Sequence, residues 1–305
     1  MHLDIRDVSK RYANGVHALK GVSLAIPPGM FGLLGPNGAG KSTLMRILAT
    51  LQEPDAGSVR LGELDVVARK DEVRRTLGYL PQEFGVYPKA SAEELLTHFA
   101  ILKGLTDKRA RKAVVEGLLR RTNLWEVRRQ RLGGYSGGMR QRFGVAVALL
   151  GDPTLMIVDE PTAGLDPAER VRFLNLLSEL GETSVVILST HIVEDVSELC
   201  TRMAVIDRGE ILLEAVPAEA VAGLGGRVWR SVIERGALAE VEAAHAVIST
   251  KLLGGKTVVH VYGDASPGGG FEAVSPDLED VYFATMAGHL GRRAAGAGAA
   301  AGVAP

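Results

Sequence analysis

Gly35-Pro36-Asn37-Gly38-Ala39-Gly40-Lys41-Ser42-Thr43 constrains this chain more than any other segment. It fits the spacing G-x-x-x-x-G-K-[ST], in which glycines let the backbone curl until several N–H groups point at one anion. Residues 30–34 before it are apolar like a short buried strand, and residues 42–48 after it have helical spacing. Strand, glycine loop and helix form the context such a loop requires, since the helix adds the positive end of its dipole. The segment predicts a nucleoside triphosphate site in which Lys41 reaches the β- and γ-phosphates and the Ser42 hydroxyl ligates Mg²⁺.

A length of 305 residues exceeds one typical domain, so a large α/β domain with a smaller appendage is expected. With 46% hydrophobic residues the chain can bury a full core, and a formal net charge of -1 gives no global pull toward nucleic acid or acidic membranes. The single cysteine, Cys200, excludes an intrachain disulfide and a cysteine-based metal cluster; it reads as a small buried side chain in a reducing cytoplasm. No stretch approaches the ~18 uninterrupted apolar residues of a membrane-spanning helix, and residues 1–5 lack the basic-then-apolar order of a secretion signal. A soluble cytoplasmic chain is expected, with any membrane role coming through a partner.

Along the chain, residues 3–26 alternate apolar and polar with a turn at Asn14-Gly15, and 59–67 and 77–80 read as further strands. A helical insert over about 84–150 follows, with Ser91 as an N-cap and a second helix over 107–122. Strands at 155–158, 185–188 and 203–206 then alternate with helices after Gly137 and Pro167, which predicts a mostly parallel sheet with ligands at the carboxyl ends of its strands. From residue 223 the texture changes to short strands at 228–233, 247–253 and 257–262 and a helix over 278–286. The expected division is residues 1–222, then a small accessory region 223–288, then a disordered Ala/Gly tail over 289–305.

Two further segments carry chemistry. The strand ending in Asp159-Glu160 offers Asp159 as a second anchor for the metal held by Ser42, and Glu160 as the general base that polarises water. Tyr135-Ser136-Gly137-Gly138-Met139-Arg140-Gln141-Arg142 opens a helix with Ser136 as N-cap. Glycines weaken a first turn, so their presence asks for a reason, and close approach of backbone N–H groups to a phosphate supplies one.

Ser136 to Arg142 resembles the signature sequence of ATP-binding cassette (ABC) ATPases, and the rest of that family's pattern follows in order across residues 1 to about 222. Tyr12 is similar to the aromatic that stacks on adenine, and Gly35 to Thr43 resembles the Walker A loop, which implies ATP contacts from Asn37, Gly38, Gly40, Lys41, Ser42 and Thr43. Gln82 is similar to the Q-loop glutamine that touches Mg²⁺ and faces a membrane partner. Asp159 and Glu160 resemble the Walker B acids, Ala163-Gly164-Leu165-Asp166 the D-loop, and His191 the switch histidine. One departure is Tyr135, where leucine is usual, which bears on packing of the signature helix. The resemblance implies a P-loop NTPase core of the ABC type, with a mostly parallel sheet flanked by helices, an antiparallel β subdomain, a helical signature subdomain and a small α+β C-terminal region. It also implies a head-to-tail dimer, homomeric or with a second ABC ATPase. Ser136 and Gly138 of one subunit would close on the γ-phosphate of ATP held by the other, which His191 and the Glu160-bound water also address.

What such an ATPase drives is read from weaker signals. Ser275-Pro276-Asp277-Leu278-Glu279-Asp280-Val281-Tyr282 resembles the C-terminal Leu-Glu-Asp-Val-Phe motif of daunorubicin-resistance-type exporters of drugs, lipids and polysaccharides. This implies a separate transmembrane permease and a place at the cytoplasmic face of a bacterial-type cell membrane. The apolar Phe84-Gly85-Val86-Tyr87 is expected as an exposed edge of the groove for that partner. The alternative is a non-transport ABC ATPase acting on nucleic acid or ribosomes, for which Lys108, Arg109, Arg111, Lys112, Arg120, Arg121, Arg128, Arg129 and Arg131 supply a basic surface. Few aromatics interleave there to stack on bases, so nucleic acid is not the expected partner.

Overall fold

The computed structural model describes residues 2–82, 84–85, 87–161, 166–182 and 184–290. Val86, Ala163, Gly164 and Leu165 of the segments above, and the tail beyond residue 290, lie outside the described residues.

The chain begins β1 (Leu3–Arg11), β2 (His17–Ile26), β3 (Gly29–Leu34), α1 (Lys41–Leu48), β4 (Ala56–Leu61), β5 (Leu64–Asp65), α2 (Lys70–Thr76) and β6 (Leu77–Leu80). Helices α3 (Ala92–Leu102), α4 (Lys108–Arg121) and α5 (Gly137–Ala148) form the insert. Then come β7 (Leu155–Asp159), α6 (Pro167–Gly181), β8 (Val185–Thr190), α7 (Val193–Leu199), β9 (Arg202–Asp207), β10 (Glu210–Ala215) and α8 (Pro217–Ala222). The last part holds β11 (Val228–Ile233), α9 (Leu238–Ala244), β12 (Ala246–Leu253), β13 (Lys256–Tyr262), β14 (Glu272–Ala273) and α10 (Leu278–Met286).

The central sheet runs β10-β9-β3-β8-β7-β6, parallel throughout except for β10. Its strands alternate across two cores, as a period of two requires. Phe31, Leu33, Leu155, Ile157, Val185 and Ile187 pack with α1 and the antiparallel sheet β2-β1-β4-β5. Met30, Leu34, Met156, Val158, Val186 and Leu188 pack on the opposite side with α5, α6 and α7. Every strand of the parallel set therefore points its carboxyl end the same way, and the loops after β3, β6, β7 and β8 meet at one edge. Those loops carry the P-loop, Gln82, Glu160 and His191.

Two sequence expectations change. The strand expected over residues 59–67 is a hairpin, β4 and β5, because Gly62 adopts φ of 56° and turns the chain. Phe84 is not part of an open apolar edge; it is half-buried with its ring edge-on to Phe143, centroids 6.0 Å apart, while Tyr87 is exposed. The C-terminal sheet β12-β13-β11-β14 is antiparallel, and Leu278, Val281 and Ala284 of α10 enter the same core as Val196 of α7 and Leu213 of β10. A capping box at Asp277 and Asp280 starts that helix.

Candidate functional site

The P-loop closes onto α1 through two glycines in left-handed backbone, which other residues adopt only with strain. Gly38 has φ of 81° and Gly40, the N-cap of α1, φ of 109°, and a Cβ on Gly40 would sit 2.5 Å from the Ala18 carbonyl oxygen. Lys41, 5% exposed, donates from Nζ to the Gly35 and Pro36 carbonyls at 2.6 and 3.1 Å. Burial lowers its pKa, opposed by the charges of Glu160 and Asp159. The loop borders a cleft of about 640 Å³ whose wall includes Tyr12, Asn37, Gly38, Gly40, Lys41, Ser42, Thr43, Gln82 and Glu160. Asn37, Gly38 and Ser42 are exposed at its mouth. The Tyr12 hydroxyl lies 3.1 Å from the Thr43 hydroxyl and donates to Gln52 Oε1 at 3.1 Å, so the aromatic ring is tied to the phosphate loop.

Glu160 is the hub. It sits just past β7 with φ of 46°, a left-handed backbone uncommon for any residue but glycine, and its N–H bonds the Ser189 carbonyl at 2.8 Å. Strain of this kind persists where the surroundings fix it, and it clusters at functional sites. Gln82 Nε2 donates to Glu160 Oε2 at 3.1 Å, His191 Nδ1 lies 3.2 Å from Oε1, and Lys41 Nζ lies 3.9 Å from the same oxygen. A carboxylate held by three polar side chains at the mouth of a phosphate cleft is placed to orient and deprotonate a water.

Asp159 supports the metal reading. It is buried beside the Ser189 hydroxyl of the neighbouring strand and the Ser42 hydroxyl, and its Oδ1 makes no hydrogen bond of good geometry among the described residues. Burial, with the Glu160 charge, pushes its carboxyl above the ordinary value. A buried, unsatisfied carboxylate oxygen behind the P-loop fits a hard divalent cation shared with Ser42 and Gln82. No three His, Cys, Asp or Glu side chains are placed to hold a metal ion among the described residues, so phosphates and water would complete its shell.

Ser136 and Gly138 lie elsewhere. They start α5, where the Ser136 hydroxyl caps the Met139 N–H at 3.2 Å, and they do not border the P-loop cleft of their own chain. Ser136 and Gly137 are exposed. The helix is nevertheless braced. Gln141 Nε2 donates to the Pro161 carbonyl at 2.9 Å, Arg142 pairs with Glu169 of α6, and a Cβ on Gly138 would meet Glu169 at 3.3 Å. Tyr135, the departure from leucine, is 2% exposed and donates its hydroxyl to the Val127 carbonyl at 2.9 Å, so the ring packs without stranding its polar end. Asp166 caps α6 by accepting from the Glu169 N–H at 2.8 Å.

Sequence reasoning missed Gln52, Gln141 and two cations that border the cleft, Lys20 and Arg208. Arg208 opens a turn whose Gly209 N–H bonds the P-loop carbonyl of Ala39 at 2.8 Å. The Asp-Arg-Gly turn signal was present at 207–209, but nothing local marks Gln52, forty positions from Tyr12.

This fold and this cleft define an ATP-binding cassette, and the chain belongs to the ABC transporter family, whose profile matches residues 19–163. It is an ATPase. The chain is 35% identical over 269 residues to the daunorubicin/doxorubicin resistance ATP-binding protein DrrA of Streptomyces peucetius, covering 88% of this chain and 78% of that one. It is also 35% identical over 226 residues to the linearmycin resistance ATP-binding protein LnrL of Bacillus subtilis (strain 168), covering 73% and 72% of the two chains. Among solved structures, an ATP-binding cassette in a dimeric post-hydrolysis state bound to ADP and Pi superposes with a TM-score of 0.65 at 27% identity, covering 70% of this chain and 98% of that one.

Proposed function

We propose that this chain is the motor subunit of an exporter, working on a separate transmembrane permease through ATP-driven pairing of two cassettes. The observation that carries the reading is the split site: Lys41, Gln82 and His191 converge on Glu160, while the exposed Ser136 and the half-buried Gly138 stand on a braced helix outside the cleft. In this mechanism Tyr12 stacks on adenine, the P-loop N–H groups and Lys41 hold the phosphates, and Glu160 takes a proton from the attacking water. Gln82 and His191 fix the carboxylate for that step. Ser42, Asp159 and Gln82 would hold Mg²⁺, which when bound neutralises charge on the β- and γ-phosphates. The start of α5 from the second cassette would place N–H donors and the Ser136 hydroxyl on the γ-phosphate.

Relatives named for daunorubicin/doxorubicin resistance, linearmycin resistance and Nod factor export support export as the direction. Among the described residues no helix is long and apolar enough to cross a membrane, which suits a permease on another chain and a place at the inner membrane face. Residues 223–288 would tune that docking or the cassette contact. The test is Glu160→Gln: hydrolysis should fall by ~10²–10⁴ while ATP binding persists. Gel filtration with ATP should then show the pair accumulating; a variant that binds ATP yet elutes as it does without nucleotide sinks the pairing mechanism.

A further inference from the structure

The insert's basic surface has no part in the mechanism above. Residues 89–131 contain eleven Lys and Arg against five Asp and Glu, in a chain whose net charge is -1. The excess concentrates where helix physics opposes it. Lys108, Arg109, Arg111 and Lys112 occupy the first turns of α4, which has no acidic residue in its first turn, so four cations face the positive end of the helix dipole. Arg111 is spent on the Leu105 and Thr106 carbonyls at 2.9 Å. Lys89, Lys108, Arg109, Lys112 and Arg131 have no ion-pair partner among the described residues.

Of the neighbouring acids, two face arginines and two serve as helix caps, Asp107 capping α4 by accepting from the Ala110 N–H at 2.7 Å. Glu93 lies 3.7 and 3.5 Å from Arg128 and Arg129, Glu116 pairs with Arg120 at 2.9 Å, and Glu94 closes the capping box at Ser91. Two hollows run along α3, one bordered by Lys89 and Arg131, the other by Lys108 and Lys112, and they share Glu93 and Thr97. One helical turn beyond Thr97 on the same face is Ile101, 45% exposed, followed by Leu102, 69% exposed. Unpaired cations beside protruding aliphatic side chains match a lipid surface, where charge meets headgroup phosphates and the apolar side chains enter the boundary layer. A single-stranded nucleic acid would need stacking platforms; Trp125, in the wall of the second hollow, already carries Arg120 and Arg128 over its ring at 4.5 and 3.8 Å.

We propose that this face of the helical insert docks directly on anionic phospholipid, with Lys108, Arg109 and Lys112 on the headgroups and Ile101 and Leu102 in the interface. The idea rests on the reading that the chain works at a membrane. The test sediments the full chain with vesicles of phosphatidylglycerol and phosphatidylcholine, or of phosphatidylcholine alone, at physiological ionic strength. Each cation is worth on the order of fivefold at such a surface, so the triple change Lys108→Gln, Arg109→Gln, Lys112→Gln should cost ~10²-fold in vesicle binding with the ATPase rate unchanged. Its melting temperature should stay level or rise, since the dipole penalty is removed. Leu102→Ser should weaken binding severalfold and leave its salt dependence alone. Equal binding to phosphatidylcholine alone, no loss in the triple variant, or displacement of the chain from vesicles by an oligonucleotide at equal concentration each overturns the proposal. If vesicle binding fails while Glu160→Gln still forms the ATP-bound pair, the lipid contact falls and the motor reading stands.

Discussion

In the cleft at the end of β3, Lys41 is 5% exposed and three side chains from different loops close on Glu160, whereas at the start of α5 Ser136 and Gly137 face solvent. Both places are built from glycines and a helix N-terminus, the two devices that suit a protein backbone to phosphate. The difference lies in what surrounds them. The cleft has a cation, acids and an aromatic within its own chain; α5 is held rigidly by Gln141 and Arg142 yet presents its first turn outward. Rigidity without a ligand on the same chain is what half of a shared site needs, because donors cost least when fixed before they meet their charge.

The comparison can be broken by experiment. The largest effect is expected from Lys41→Ala, which removes the buried cation of the cleft and should weaken ATP binding by ~10²-fold or more, read by calorimetry. Ser136→Ala should instead leave the affinity of the isolated chain for ATP unchanged and slow hydrolysis by ~10²–10³, as loss of a preorganised donor does. Mixed together, the two inactive variants should regain activity, since one cleft in the mixed pair has an intact P-loop facing an intact Ser136. No recovery on mixing would mean that the two regions do not complete each other.

Smaller effects sharpen the electrostatic side. Burial raises the Asp159 carboxyl in the folded chain above its unfolded value, so its contribution to stability is fully present below the unfolded pKa and is lost as pH rises through the folded one. Asp159→Asn should therefore raise the melting temperature of the chain at neutral pH without nucleotide by about 2–4 °C while removing the Mg²⁺ dependence of ATP binding. A lower melting temperature would show that the carboxylate is stabilised by contacts rather than strained by burial. Least affected should be Cys200→Ser. Burial pushes that thiol up to about 12, out of reach of alkylation in the folded chain at pH 8, and hydrolysis should change by less than about twofold.

Much of this was legible because the phosphate chemistry is local. The P-loop, the acids after β7 and the Ser136 cap each occupy a short stretch whose spacing carries its physical reason, and the helix read over 278–286 agrees with Leu278–Met286 in the structure. Contacts between distant segments were not legible. Tyr12 to Gln52, Gln141 to Pro161 and Gly209 to Ala39 join residues whose separations obey no period, and only the packed sheet order brings them together. Phe84 misled for the same reason, since an apolar residue in a loop is not marked in sequence as covered until Phe143 arrives from α5. The short α2 and α9 escaped notice because seven residues give too little period to read.

The outward-facing start of α5 also has a genetic meaning. On the reading proposed here, a chain with Ser136→Ala keeps its own cleft sound and disables the cleft of whichever healthy chain it joins. Expressed beside the normal gene, such an allele should poison export in a dominant way, drawing good subunits into slow assemblies. An allele that cannot fold recruits no partner and should behave as recessive. Dominance is thus decided by whether an altered chain still pairs, and it can be scored on growing cells with no purified protein at all.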